Sequence, residues 1–76
     1  MKDLLTYIAK SLVETPDAVN VTEVQKEDGL VLELRVASED MGKVIGKHGR
    51  IAKEIRTVIK AASLRENIKV SVDIVD

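Results

Sequence analysis

Val44-Ile45-Gly46-Lys47-His48-Gly49-Arg50-Ile51 places two glycines three positions apart, with a lysine and a histidine between them and an arginine directly after. Upstream, Met41, Val44 and Ile45 recur at helical spacing. Downstream, Ile51, Ile55, Val58, Ile59 and Ala62 do the same, so the glycines join two helices. Glycine has no Cβ, which lets the backbone bend sharply and lets another molecule approach its amides. The first amides of the following helix have no partner inside the helix, and its dipole favours negative charge there. Lys47, His48 and Arg50 add cationic side chains at the same point. Together these features describe a seat for a phosphate backbone.

Working outward, Ser38 followed by Glu39 and Asp40 reads as a capping hydroxyl with carboxylates in a positive first turn, and Gly46 ends that helix. Before it, Leu30, Leu32, Leu34 and Val36 alternate with Val31, Glu33 and Arg35, which predicts a strand with one buried face. Asp28-Gly29 signals a hairpin, with both residues supplying the positive φ of a tight turn. The hairpin leads back to a weaker β pattern from Val19 to Glu27, suited to an edge strand. From Lys2 to Glu14, Leu4, Leu5, Ile8 and Leu12 mark an amphipathic helix, stopped by Thr15-Pro16-Asp17. At the other end, Ile68, Val70, Val72 and Ile74 alternate with Lys69, Ser71 and Asp73 in a closing strand.

The order is therefore α-β-β-α-α-β. The first two strands form an antiparallel hairpin, and a two-helix crossover makes the second and last parallel, right-handed by default. Both of those strands alternate, so helices should cover one face of the sheet and leave the other to solvent. That pattern indicates an α+β fold, not a doubly wound one. On the open face Glu33, Arg35, Lys69 and Asp73 read as cross-strand partners.

A chain of 76 residues makes one domain, 1–76, with one small core; such domains bury only about 60% of their unfolded surface. There is no cysteine, hence no disulfide, thiolate nucleophile or sulfur metal site, and a reducing cytoplasmic location fits. Thr6, Lys10 and Ser11 interrupt the apolar run of the first helix, which excludes a signal peptide, and no segment is apolar enough for a membrane span. The net charge of −1 argues against a uniformly basic nucleic-acid binder, but the charge is segregated. Between Lys43 and Lys60 there are six basic residues and one acidic; the rest of the chain has six basic and twelve acidic. Such polarity steers a polyanion towards the glycine loop.

A β-α-α-β core with Ile-Gly-x-x-Gly between its helices resembles the KH domain, and an added N-terminal helix and strand resembles its type II arrangement. The likeness extends through Met1-Lys2-Asp3-Leu4, Tyr7-Ile8-Ala9-Lys10, Thr15-Pro16-Asp17, Gly42 to Lys53 and Ile55 to Ala62, and over this length the chain is similar to the KhpA family of small bacterial single-KH proteins. The resemblance implies an RNA-binding, chaperone-like protein of the bacterial cytoplasm. It also implies pairing as a homodimer, or as a heterodimer with a larger partner, KhpB (Jag), in regulation linked to cell shape and cell-wall synthesis.

Carried over by position, the resemblance makes Gly46, Lys47, His48 and Gly49 the grip on about four unpaired nucleotides. Val44 and Ile45 would form the apolar groove floor, with bases resting against them and the edge of the second strand. Lys43, Arg50 and Lys53 would extend the electrostatic contact. One departure is Ala52, which stands where many KH domains have a branched apolar residue; Ile51 comes one position earlier. Lys53, Arg56 and Lys60 fall opposite the apolar stripe, and for Arg56 and Lys60 a solvated face is the plainer reading.

His48 is the only histidine and has no companions at metal-ligand spacing, so no metal or other cofactor is expected. As a phosphate contact it would raise RNA affinity as pH falls below neutrality. Tyr7 is the sole aromatic residue, so stacking platforms are missing from the groove and binding should be about micromolar and poor at discriminating sequence. No nucleophile–base pair stands out, no small-molecule substrate is indicated, and an enzyme is not expected. The rival reading is a protein-interaction module that dimerises with a partner and has little direct RNA contact, favoured by near-zero net charge and opposed by the intact loop.

Overall fold

The computed structural model of the chain describes residues 1–46 and 49–75. Helix α1 (Lys2–Leu12) is followed by a single 3-10 turn (Pro16–Ala18), strands β1 (Asn20–Lys26) and β2 (Gly29–Arg35), helices α2 (Ser38–Ile45) and α3 (Arg50–Arg65), and strand β3 (Val70–Val75). The sheet order is β1-β2-β3, with β1 antiparallel and β3 parallel to the central β2. The expected α+β, α-β-β-α-α-β order and mixed three-stranded sheet are both present.

Alternation determines which face is covered. Leu32 and Leu34 in β2, Val21 in β1 and Val72 in β3 are buried and meet Leu5 and Ala9 of α1 and Ile55 and Ile59 of α3. Helix α1 lies over β1, α3 lies over β3, and the two helices touch. The opposite face carries Thr22, Arg35, Ser71 and Asp73, all exposed. This sheet has a parallel pair and still leaves one face to solvent, because β2 and β3 place polar or half-buried side chains there at every second position.

Several local expectations are corrected. The hairpin turns at Glu27 and Asp28, while Gly29 already pairs with Lys26. Asp28 does not have a positive φ, since among the described non-glycine residues only Asn67 does. Gly29, at φ 151°, serves a different purpose: a Cβ there would come within 2.6 Å of the Lys69 carbonyl oxygen, which accepts the Leu30 N–H at 2.8 Å. The glycine lets the lead-in to β3 approach the hairpin. Ile68 and Lys69 precede β3, so neither is a strand residue. Glu33 stands beside Asp73 in the parallel register, a like-charged pair, and Arg35 reaches Glu33 along its own strand at 3.9 Å.

Helix α1 ends at Leu12, two residues short of Glu14. Pro16 restricts Thr15, and the N–H groups of Glu14 and Thr15 donate to the Asp40 carboxylate instead of an α-helical ladder. Helix α2 is capped from Ala37, with Ser38 its first helical residue and no side-chain cap, so the expected hydroxyl cap is absent. In α3 the buried stripe is Ala52, Ile55, Ile59 and Ser63; Ile51 and Ala62 are half-buried and Val58 is exposed. The stripe is rotated towards the small residues, which let α3 settle close to its neighbours. Ser63 tolerates burial because its hydroxyl donates to the Lys60 carbonyl at 2.8 Å within the same helix.

Candidate nucleic-acid interface

The two glycines differ in the reason each must be glycine. Gly46 ends α2 in extended geometry, and its N–H donates to the Gly42 carbonyl at 2.8 Å. A Cβ at Gly46 would overlap that same oxygen, so the constraint is steric. Gly49 sits in the left-handed region at φ 64° and ψ 33°, with open space where a Cβ would go, so its constraint is conformational. The Gly49 N–H donates to the Gly46 carbonyl at 2.9 Å, closing the Gly-x-x-Gly segment as a turn. Lys47 and His48, which the sequence places at the tip of this turn, lie outside the described residues.

Gly49 leads directly into α3, whose first turn holds no acidic residue and whose N-cap offers no side-chain hydrogen bond. The N-terminal end of α3 therefore keeps its positive dipole potential without a first-turn carboxylate to cancel it. Arg50 is exposed and lies 3.6 Å from Glu54 one turn on, a solvent-screened pair that leaves it available to an anion.

From this point a groove runs along α3, lined by Ile45, Gly49, Ala52, Lys53, Arg56, Thr57 and Lys60. The three basic residues recur at three- and four-residue intervals and form one stripe on the helix. A second hollow continues past Arg56 and Lys60 between α3 and the free edge of β3, where the Arg56 Nε–H donates to the Val72 carbonyl at 3.3 Å. Arg56 is therefore turned towards the sheet and not away from the core. Arg56 and Lys60 are both exposed, as a solvated face would have them, and they line the groove together with Lys53.

Three positional expectations change. Val44 is 0% exposed and supports the site from beneath, whereas its neighbour Ile45 is 56% exposed and lines the groove. The edge of β2 is not available to bases, because β2 is central and pairs on both sides; the free edge next to α3 belongs to β3. Lys43 pairs with Glu14. It is two residues from Ile45, about 200° around the helix, and so points away from the groove. Tyr7 is 73% exposed on α1 and does not line the groove, which has no aromatic residue among those described.

A sequence model described as KhpA/KhpB, KH domain, matches residues 2–74. The chain belongs to this KH-domain family. It is 65% identical to the RNA-binding protein KhpA of Clostridium acetobutylicum over 99% of this chain and 100% of that relative. The protein of the same name from Clostridium perfringens is 61% identical, with the same coverage. Its counterpart in Chlamydia caviae is 47% identical over 100% of this chain and 97% of that one. No solved structure matches the chain. Family membership makes RNA the expected ligand class. No helix among the described residues is long and apolar enough to cross a membrane, and no cluster of three potential metal ligands occurs among them.

Proposed function

We propose that this chain is an RNA chaperone that grips the sugar-phosphate backbone of short single-stranded RNA with the Gly46-Lys47-His48-Gly49 turn. Arg50 and Lys53 extend the phosphate contact, and Ile45 meets the bases from the apolar side of the groove. Arg56 and Lys60 join this set, while Val44 supports it from below and Lys43 stabilises α2. The observation that carries this reading is the α3 N-terminus: it emerges from a left-handed glycine, has no acidic residue in its first turn, and opens onto a basic stripe. Such an end accepts anions through its own amides.

The remaining parts of the proposal rest on family resemblance. The protein works in the cytoplasm without a cofactor or catalytic activity. It pairs with itself or with KhpB (Jag) and takes part in post-transcriptional control linked to cell shape and cell-wall synthesis. Pairing would place two turns on one RNA, so that the second engagement is intramolecular and offsets a weak single site. A second reading, a dimerisation module with little RNA contact, is favoured by Leu64, which is 70% exposed near the end of α3.

Salt dependence distinguishes the two. Contact with about three phosphates predicts that log affinity for a ten-nucleotide single strand falls with log salt at a slope of about −2, at about −0.7 per contact. A slope near zero, measured by fluorescence anisotropy, would reject the backbone grip and favour the interaction module.

A further inference from the structure

Asp40 is 1% exposed and is not among the residues lining the groove. Its Oδ1 accepts the Glu14 N–H at 3.2 Å and its Oδ2 accepts the Thr15 N–H at 3.0 Å. Two neighbouring contacts reinforce this. The Thr15 hydroxyl donates to Glu39 Oε1 at 3.0 Å, and Lys43 pairs with Glu14. Three side chains on one side of α2 thus converge on the same two residues, which lie between α1 and the 3-10 turn.

This convergence matters because α2 has little else to hold it. Eight residues make two turns, too short to be stable as an isolated helix, so its position comes from tertiary contacts. Helix α2 packs chiefly against α3, and Val44 is its only fully buried apolar residue. The polar clamp grips the first turn of α2, while Gly46, the first residue of the loop, follows its last. The two ends are separated by about 9 Å of helix. A two-turn helix is rigid over that distance, so releasing its first turn changes the angle at which Gly46 meets Gly49 and the amides of α3.

We infer that Asp40 is a positioning residue for nucleic-acid binding: it locks α2 to the chain between α1 and the 3-10 turn and so preorganises the Gly-x-x-Gly seat from outside the groove. This inference rests on the RNA-binding reading above. Preorganised sites bind more tightly because less ordering remains to be done on association. Asp40 is suited to the task because a carboxylate accepts from both amides at once, which an amide side chain of the same size does not.

The test uses the full chain, decauridylate as probe, and Asp40→Asn, which preserves volume and removes one acceptor. At a temperature where circular dichroism shows both proteins folded, Asp40→Asn is expected to bind about tenfold more weakly. Val21→Ala, a core change remote from the clamp, serves as the control for lost stability and is expected to keep wild-type affinity within about twofold. A second measurement needs no variant. Linkage is reciprocal, so if the clamp favours binding, binding favours the clamp. Saturating decauridylate should therefore slow hydrogen exchange at the Glu14 and Thr15 amides of the wild type more than at Ala18 and Val19, which bond within their own turn. If Asp40→Asn binds as well as wild type, or if exchange at Glu14 and Thr15 is unaltered by RNA, Asp40 has a structural role only and the inference fails while RNA binding stands. If the wild type does not bind decauridylate, even at low salt, the RNA-binding reading fails and takes the inference with it.

Discussion

Lys47→Asp combined with His48→Asp is expected to abolish measurable binding of short single-stranded RNA while leaving the fold intact. These residues lie between two glycines whose own geometry closes the turn, the Gly49 N–H donating to the Gly46 carbonyl. The backbone device therefore does not depend on the side chains at its tip. The substitution removes the Lys47 cation and the His48 imidazole and puts two carboxylates at the proposed phosphate seat, next to the N-terminus of α3. Losing charge-assisted contacts worth about 1.5–3 kcal/mol each and adding repulsion raises Kd from about micromolar to about millimolar or beyond, a loss of roughly 4 kcal/mol. Crosslinking to RNA in cells should disappear in parallel, with circular dichroism and the thermal midpoint close to wild type. Crosslinking that survives the double substitution in a folded protein would move the RNA contact elsewhere and strengthen the interaction-module reading.

The largest stability effect is expected at the centre of the sheet. Leu32 is fully buried in β2, which pairs on both sides, and its cluster joins both core-covering helices to all three strands. Leu32→Ala removes three heavy atoms from a site that cannot collapse, because its backbone is held by two ladders. The expected cost is about 3–5 kcal/mol. Marginal stability of roughly 0.05–0.15 kcal/mol per residue gives a chain this short only about 4–11 kcal/mol in total. The variant should be largely unfolded near 37 °C, or should melt far below wild type in a thermal or urea titration. Leu64→Ala, by contrast, alters an exposed side chain and should change stability by no more than about 0.5 kcal/mol. Comparable losses at Leu32 and Leu64 would mean that the core has been misplaced.

Much of the architecture was readable because it depends on short-range periodicity. Leu30, Leu32 and Leu34 against Val31, Glu33 and Arg35 specify a strand and its buried face without reference to the rest of the chain. The Gly46–Gly49 spacing specifies the helix–turn–helix that carries the candidate site. What was not readable depends on partners far away in sequence. Asp40 looks like an ordinary dipole-complementing carboxylate until Glu14 and Thr15, more than twenty residues earlier, fold against it. Gly29 looks like a turn residue until Lys69 closes on it.

Adjacent apolar residues pose a related difficulty. Val44 and Ile45 are chemically alike, and only the rotation of α2 decides that one is buried and the other lines the groove. In α3 the stripe was assigned by the spacing of apolar residues, which included the exposed Val58 and passed over Ala52 and Ser63. Close packing of helices instead selects small residues, and Ala52 and Ser63 take the buried positions. The basic stripe was visible in sequence, but its direction was not. The Arg56 bond to Val72 shows that it borders the sheet edge.

Amide chemical shifts followed by NMR during titration with decauridylate test the central claim most directly. The account predicts that the largest changes fall at Gly46, Gly49, Arg50, Ile51 and Lys53, with smaller ones along Arg56 and Lys60, and that Thr22, Glu33, Ser71 and Asp73 on the open face of the sheet stay still. Shifts concentrated on that open face, or around Tyr7 on α1, with the glycines unmoved, would contradict it.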